Sequence, residues 1–230
     1  MKEIIAGKNE SGQRLDKLLR KYLPEAGTGF IYKMIRKKNI TLNDHKCSGN
    51  EIISEGDSIR LWLSDDTVSK FQSSQASYSD NEKYRQKVLN ASRGLQLIYE
   101  DEDIVIYNKP AGMLSQKSEP EDISVNDILL MHYPSTETFT PSICNRLDRN
   151  TSGLIICGKT LSGLQHMAEH LRNRTVHKDY LAVVDGRLLK AVSIRSVIDG
   201  KELHSEVRPL AVKNDCTYVC VRLFTGKTHT

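Results

Sequence analysis

Between residues 64 and 94 the chain loses any regular alternation of apolar and polar residues. Ser, Gln, Asn and Asp dominate there, apolar residues are sparse, and neither a helical nor a strand period survives. Such a segment cannot bury enough surface to offset the entropy of ordering itself. Apolar-periodic sequence lies on both sides of it, so the chain must build separate cores. Its 230 residues suffice for one mid-sized core plus a small domain. The expected organisation is a small domain over residues 1–64, a flexible linker over 65–94 and a larger domain over 95–230. Within the linker, Asn81–Asn90 is compatible with a short solvated helix.

The small domain opens with two amphipathic helices. Leu15, Leu18, Leu19, Tyr22 and Leu23 recur at helical spacing, with Arg14, Lys17, Arg20 and Lys21 on the other faces. Pro24, Gly27 and Gly29 break that helix. A second runs from Phe30 to Lys38, burying Ile31, Met34 and Ile35 and leaving Lys33, Arg36, Lys37 and Lys38 outside. Strand-like pieces follow at Ile40–Asn43 and Ser58–Leu63, with a turn at Glu55-Gly56-Asp57. Charge is distributed unevenly. Residues 1–64 hold 12 Lys/Arg and 8 Asp/Glu, so they carry the whole net charge of +4, and the remaining 21 of each sum to zero. A basic excess confined to one small domain suits contact with nucleic acid. The phrasing Gln13–Leu19 and Ile31–Lys38, followed by small strands, resembles the RNA-binding domain of the ribosomal-protein S-four type. That resemblance implies RNA contacts from Arg14, Lys17, Lys33, Arg36 and Lys37 in a small α/β domain.

The larger domain reads as hairpins and strands with a few segregated helices, an α+β pattern rather than alternating βαβ units. Leu95–Tyr99 and Ile104–Tyr107 flank an acidic turn. Lys109-Pro110-Ala111-Gly112 ends the second strand, because Pro cannot continue it and Gly permits a sharp turn. Helices are expected at Ser124–Tyr133 and around Leu161, Leu164, Ala168 and Leu171. Strands are expected at Leu154–Cys157, Tyr180–Val184, Ile194–Ile198, Ser205–Val212 and Thr217–Phe224, with turns at Asp185-Gly186 and Asp199-Gly200. The fold expectation is a mainly antiparallel mixed sheet with flanking helices.

One loop concentrates the chemistry. Asn145-Arg146-Leu147-Asp148-Arg149-Asn150-Thr151-Ser152-Gly153 sets a carboxylate between two arginines in a polar, glycine-ended turn. A positioned carboxylate acts as nucleophile or base, and arginines grip phosphate. These residue types also make ordinary tight turns and surface salt bridges. The order is more particular than the composition. It resembles the H-R-L-D-x-x-T-S-G signature of RluA-type pseudouridine synthases, which isomerise uridine within RNA, except that Asn145 stands where the family has His. Three further elements match in family order. Asn108–Gly112 resembles N-K-P-x-G, Lys178–Ala182 resembles K-x-Y-x-A, and Leu223–Thr230 resembles the start of L-x-T-G-R-T-H-Q-I-R. In the last, Lys227 replaces Arg and Thr230 replaces Gln. The sequence ends at Thr230, before the final Arg that the resemblance pairs with the aspartate, so the larger domain is expected to be incomplete at its C-terminus and impaired in isolation.

The resemblance implies catalytic roles for Asp148, as nucleophile or as base, and for Tyr180. The tyrosine ring would stack on the target uracil, while its hydroxyl assists proton removal from carbon 5. It further implies RNA contacts from Arg146, Arg149 and Lys227. Arg146 either fills the gap left by an everted base or pairs with Asp148. The reaction involves neither redox change nor transfer to a second molecule, so no cofactor and no metal are expected. No G-x-G-x-x-G or P-loop pattern occurs. Cys47, Cys144, Cys157, Cys216 and Cys220 form no C-x-x-C pair, and a cytosolic protein with packed thiols is the expectation. No apolar run approaches the ~20 residues that span a bilayer. The implied partner is RNA, with ribosomal RNA of the large subunit ahead of transfer RNA, bound by a monomer. The competing reading is a non-catalytic RNA-binding or ribosome-assembly protein with a degenerate synthase domain, for which Asn145 and Lys227 speak.

Overall fold

The computed structural model describes residues 1–72, 82–198 and 200–225. The chain falls into two compact units, residues 1–167 and 168–230.

The first unit starts with β1 (Lys2–Ile5), α1 (Leu15–Tyr22), α2 (Thr28–Arg36), β2 (Ile40–Leu42), β3 (His45–Lys46) and β4 (Ser58–Leu61). The strands form an antiparallel sheet in the order β1-β4-β2-β3. Both helices turn the apolar sides expected of them inward. Leu15, Leu18, Leu19, Leu23, Ile31 and Ile35 are essentially inaccessible and meet Ile40, Ile53, Ile59 and Leu61 in one core. Each such side chain contributes about 1.5–3 kcal/mol by leaving water. Strand β1 has no counterpart among the expected elements. Its residues are mostly exposed, and it forms by pairing Ile4 with Ile59 at the sheet edge.

Within the segment 65–94 lie helix α3 (Asp65–Phe71), which has no counterpart among the expected elements, and helix α4 (Glu82–Ser92), where the sequence allows a short helix over Asn81–Asn90; residues 73–81 fall outside the described residues. Ser64 caps α3 by accepting from the Thr67 amide at 3.3 Å. Val68 then enters the core of the first module and Phe71 packs on Phe30, ring centroids 4.6 Å apart. Two apolar residues at i and i+3 suffice here because a finished core is waiting for them. Helix α4 buries Val88 and ties itself down through Tyr84, whose hydroxyl donates to Asp127 Oδ1 at 2.9 Å.

A second antiparallel sheet completes the first unit: β5 (Gln96–Glu100), β6 (Ile104–Lys109), β7 (Ser142–Ile143) and β8 (Gly153–Gly158), ordered β5-β6-β8-β7. Strand β6 alternates strictly, so Val105, Tyr107 and Lys109 point inward. Helix α5 (Val125–His132) covers that face with Val125 and Leu129, which join Ile155 and Cys157 of β8. Its first turn is fastened by Asp127, which accepts from both the Ser124 amide and the Ser124 hydroxyl. Helix α6 (Leu161–Arg172) begins against the β5–β6 turn. A Cβ on Gly163 would lie 2.3 Å from the Asp103 carbonyl oxygen, so only glycine permits this approach. The Leu161 amide, at the start of α6, donates to Asn9 Oδ1 of the small module at 3.2 Å. Nearby, the Thr138 hydroxyl donates to Glu10.

The second unit is one antiparallel sheet, β10-β11-β12-β9, built from β9 (Lys178–Asp185), β10 (Val192–Ile198), β11 (Lys201–Lys213) and β12 (Cys216–Leu223). Strand β11 begins four residues before the expected Ser205. It passes Pro209 by a register shift between Pro209 and Ala211, which accommodates a residue with no amide to donate. Gly186 makes its turn with φ 89°, and Asp199 lies outside the described residues. Among the described residues every ladder between named strands is antiparallel, and the architecture is α+β. No helix among them is long and apolar enough to cross a membrane.

Candidate active site

The loop 145–153 joins β7 to β8, and both of its ends are fixed. Asn145 accepts from the Ile156 amide at 2.8 Å and donates to the Leu154 carbonyl at 3.1 Å. The residue that departs from the family signature therefore stitches the loop onto β8. At the other end Gly153 adopts φ 138°, a conformation that favours glycine, with Leu147 Cδ1 3.5 Å from where a Cβ would stand. The Thr151 amide closes the turn on the Asp148 carbonyl at 3.1 Å.

Lys109 supplies the strongest local constraint. It is fully buried, and its ammonium donates to three backbone carbonyls: Met113 at 2.8 Å, Pro110 at 3.1 Å and Arg149 at 3.1 Å. All three protons are used, as a buried charge requires. Burial pushes its pKa below the ordinary lysine value, and the charge of Asp148 acts in the opposite direction. The Gly112 amide also donates to the Arg149 carbonyl at 2.8 Å, and Arg149 Nε returns a bond to the Gly112 carbonyl at 3.3 Å. The 109–113 turn and the signature loop thus form one hydrogen-bonded body. Asp148 itself is exposed on it, flanked by the exposed Arg146 and Arg149. Sequence reasoning casts Lys109 and Gly112 as strand-ending residues within an N-K-P-x-G match and gives neither a role at the site. The signal it misses is phase: Lys109 stands two residues after Tyr107 and four after Val105, on the inward side of β6.

Tyr180 lies in the second unit, half-buried in β9 opposite Val221 of β12. On the other face of the same strand Arg222 forks onto Asp179, at 2.7 and 2.8 Å, and holds that carboxyl below the usual range. Asp148 and Tyr180 thus occupy different units. Lys227 lies outside the described residues. In the small module Lys17 of α1, Lys33 and Arg36 of α2, and Lys37 just after α2 are exposed. Arg14 is engaged within the protein: its guanidinium forks onto Asp16 at 3.0 and 3.1 Å and reaches Asn50.

Among the described residues no group of three or more His, Cys, Asp or Glu could hold a metal ion. Burial raises the Cys144 thiol to about 11 and the Cys157 thiol to about 12, so both are packing residues rather than nucleophiles.

The family model described as RNA pseudouridylate synthase matches residues 103–230, which include the Lys109 turn, the Asp148 loop and the Tyr180 strand. The chain belongs to this family. Curated relatives agree. The chain is 30% identical over 189 residues to the ribosomal large subunit pseudouridine synthase C of Haemophilus influenzae, covering 81% of this chain and 55% of that protein. An uncharacterised RNA pseudouridine synthase of Mycoplasma pneumoniae is 25% identical over 253 residues, covering 99% of this chain and 74% of that protein. The chain thus spans about half the length of the Haemophilus relative. Among solved structures, human RNA pseudouridylate synthase domain containing 4 superposes with a TM-score of 0.50 at 18% identity, covering 64% of this chain and 65% of that one. For this pseudouridine synthase family member the superposition supports the α+β fold.

Proposed function

We propose that this pseudouridine synthase family member isomerises uridine to pseudouridine in large-subunit ribosomal RNA, working in the cytoplasm as a monomer. The observation that carries the reading is Asp148: an exposed carboxylate on a loop whose backbone is fixed from both sides by buried groups. A rigidly held, accessible carboxylate is what attack or proton abstraction at a sugar–base bond requires. The names of relatives such as the Haemophilus protein point to the large subunit.

In this reading residues 1–64 are an S-four-like RNA-binding domain, and Lys17, Lys33, Arg36 and Lys37 engage phosphates without reading bases. The larger domain follows over 95–230. The target uridine leaves its stack, because its glycosidic bond is otherwise out of reach. Asp148 starts cleavage of that bond, the freed uracil turns, and carbon 5 joins the ribose in place of nitrogen. The proton lost from carbon 5 leaves with the help of Tyr180, and the ring nitrogen freed from the ribose takes up a proton in its place. Arg146, Arg149 and Lys227 supply cations to the surrounding RNA. Atoms and electrons balance within one nucleotide, so the scheme needs neither cofactor nor metal.

The test is a pseudouridine map of cellular RNA with and without the gene. One or more large-subunit sites should vanish on deletion and return with the wild-type gene but not with Asp148→Ala. Loss confined to transfer RNA would correct the substrate. A map unchanged by deletion would refute the activity and leave an RNA-binding protein.

A further inference from the structure

Asp148 follows Leu147, and the whole backbone of Leu147 is engaged by a single side chain. The Ser115 hydroxyl donates to the Leu147 carbonyl at 2.7 Å and accepts from the Leu147 amide at 3.0 Å. Ser115 is 4% exposed, so water does not compete for either bond. A hydroxyl has one proton and two lone pairs, and here one of each meets the two polar groups of one residue. Ser115 is itself held. Its carbonyl accepts from the Asn126 amide at 3.3 Å, and the Leu114 carbonyl accepts from the Val125 amide at 2.9 Å. Position is thus relayed from the first turn of α5 to Ser115, from Ser115 to Leu147, and from Leu147 to Asp148. Lys109 and the Gly112 amide grip the far side through Arg149.

We infer that Ser115 is a positioning residue for Asp148, setting the carboxylate's aim through the Leu147 backbone. This rests on the catalytic reading of Asp148 given above. Ser115 separates this role from general stability better than Lys109, because Lys109 also ties down the 110–113 turn, whereas the Ser115 hydroxyl binds Leu147 alone. Displacement of a reacting group by about 1 Å can cost on the order of 100-fold in rate. Ser115→Ala should therefore lower kcat roughly 10–100-fold while KM and RNA affinity stay at wild-type values.

Three proteins decide it: Ser115→Ala, Ser115→Thr, which keeps the hydroxyl, and Val68→Ala, which trims a buried residue of α3, an element outside the loop and its supports. Each is assayed for pseudouridine formation per folded molecule, for thermal midpoint, and for exchange of individual backbone amides. The alanine variant should lose kcat and lose protection of the Leu147 amide, with Ile155 in β8 still protected. The threonine variant should regain both, and Val68→Ala should lose only thermal midpoint. Full kcat per folded molecule in Ser115→Ala, or unchanged Leu147 protection, overturns the inference. A wild-type protein that forms no pseudouridine in any RNA overturns the proposed function instead, and the exchange of Leu147 still decides whether Ser115 fixes the loop.

Discussion

Single residues in this protein act mostly through what they hold. Asp16 is a buried carboxylate on α1 that takes two bonds from Arg14 and one from the Tyr32 hydroxyl at 3.0 Å, with Arg20 at 3.6 Å. Burial raises its pKa, but these partners outweigh burial and leave it lowered. A lowered carboxyl pKa stabilises the fold above the unfolded value, near pH 4, and that contribution disappears as pH falls through the folded value. Wild type should therefore exceed Asp16→Asn in urea midpoint at pH 7, and the gap should close as pH drops below about 4. A gap that widened with acid would mean that Asp16 is not the charged partner. The same residue shows what was legible beforehand. The Gln13–Leu19 pattern marks a helix, yet its polar positions do not say that Arg14 faces a buried aspartate rather than RNA. Likewise the turn residues around Asp148 announce a tight loop, while Ser115 bears no local mark of its bonds to Leu147, thirty-two positions further on.

At the scale of elements, close approach matters as much as periodicity. Replacing Gly163 with Ala forces a Cβ against the Asp103 backbone oxygen, and backbone cannot swing away as a side chain can. Gly163→Ala should destabilise the first unit by about 3 kcal/mol, read from urea unfolding, as severe overpacking does. Helices α1 and α2 are readable because each repeats its apolar residues over two turns. Helix α3 is not, since Val68 and Phe71 are too few to establish a period and gain meaning only from Phe30 and the core beneath. Two-residue strands such as β3 and β7 have no pattern to read at all. They exist because β2 and β8 offer them hydrogen bonds.

At the scale of the molecule, charge is partitioned between modules. The exposed lysines of α1 and α2 belong to residues 1–64, which carry the net +4, while the rest of the chain is balanced. Lys33→Glu together with Lys37→Glu should weaken binding to RNAs of any sequence. It should also flatten the dependence of log affinity on log salt by about one for each phosphate no longer neutralised. Filter binding across a salt series measures both effects, and a slope equal to that of wild type would remove these lysines from the interface. Connection between the modules runs through chemistry as well as sequence. The first amide of α6 finds its acceptor in Asn9, 152 positions earlier. A donor of this kind is ordinarily satisfied by a neighbour along the chain. Here a helix of one module completes its ladder on a side chain of the other, so melting of the small module takes away the acceptor that the first turn of α6 relies on.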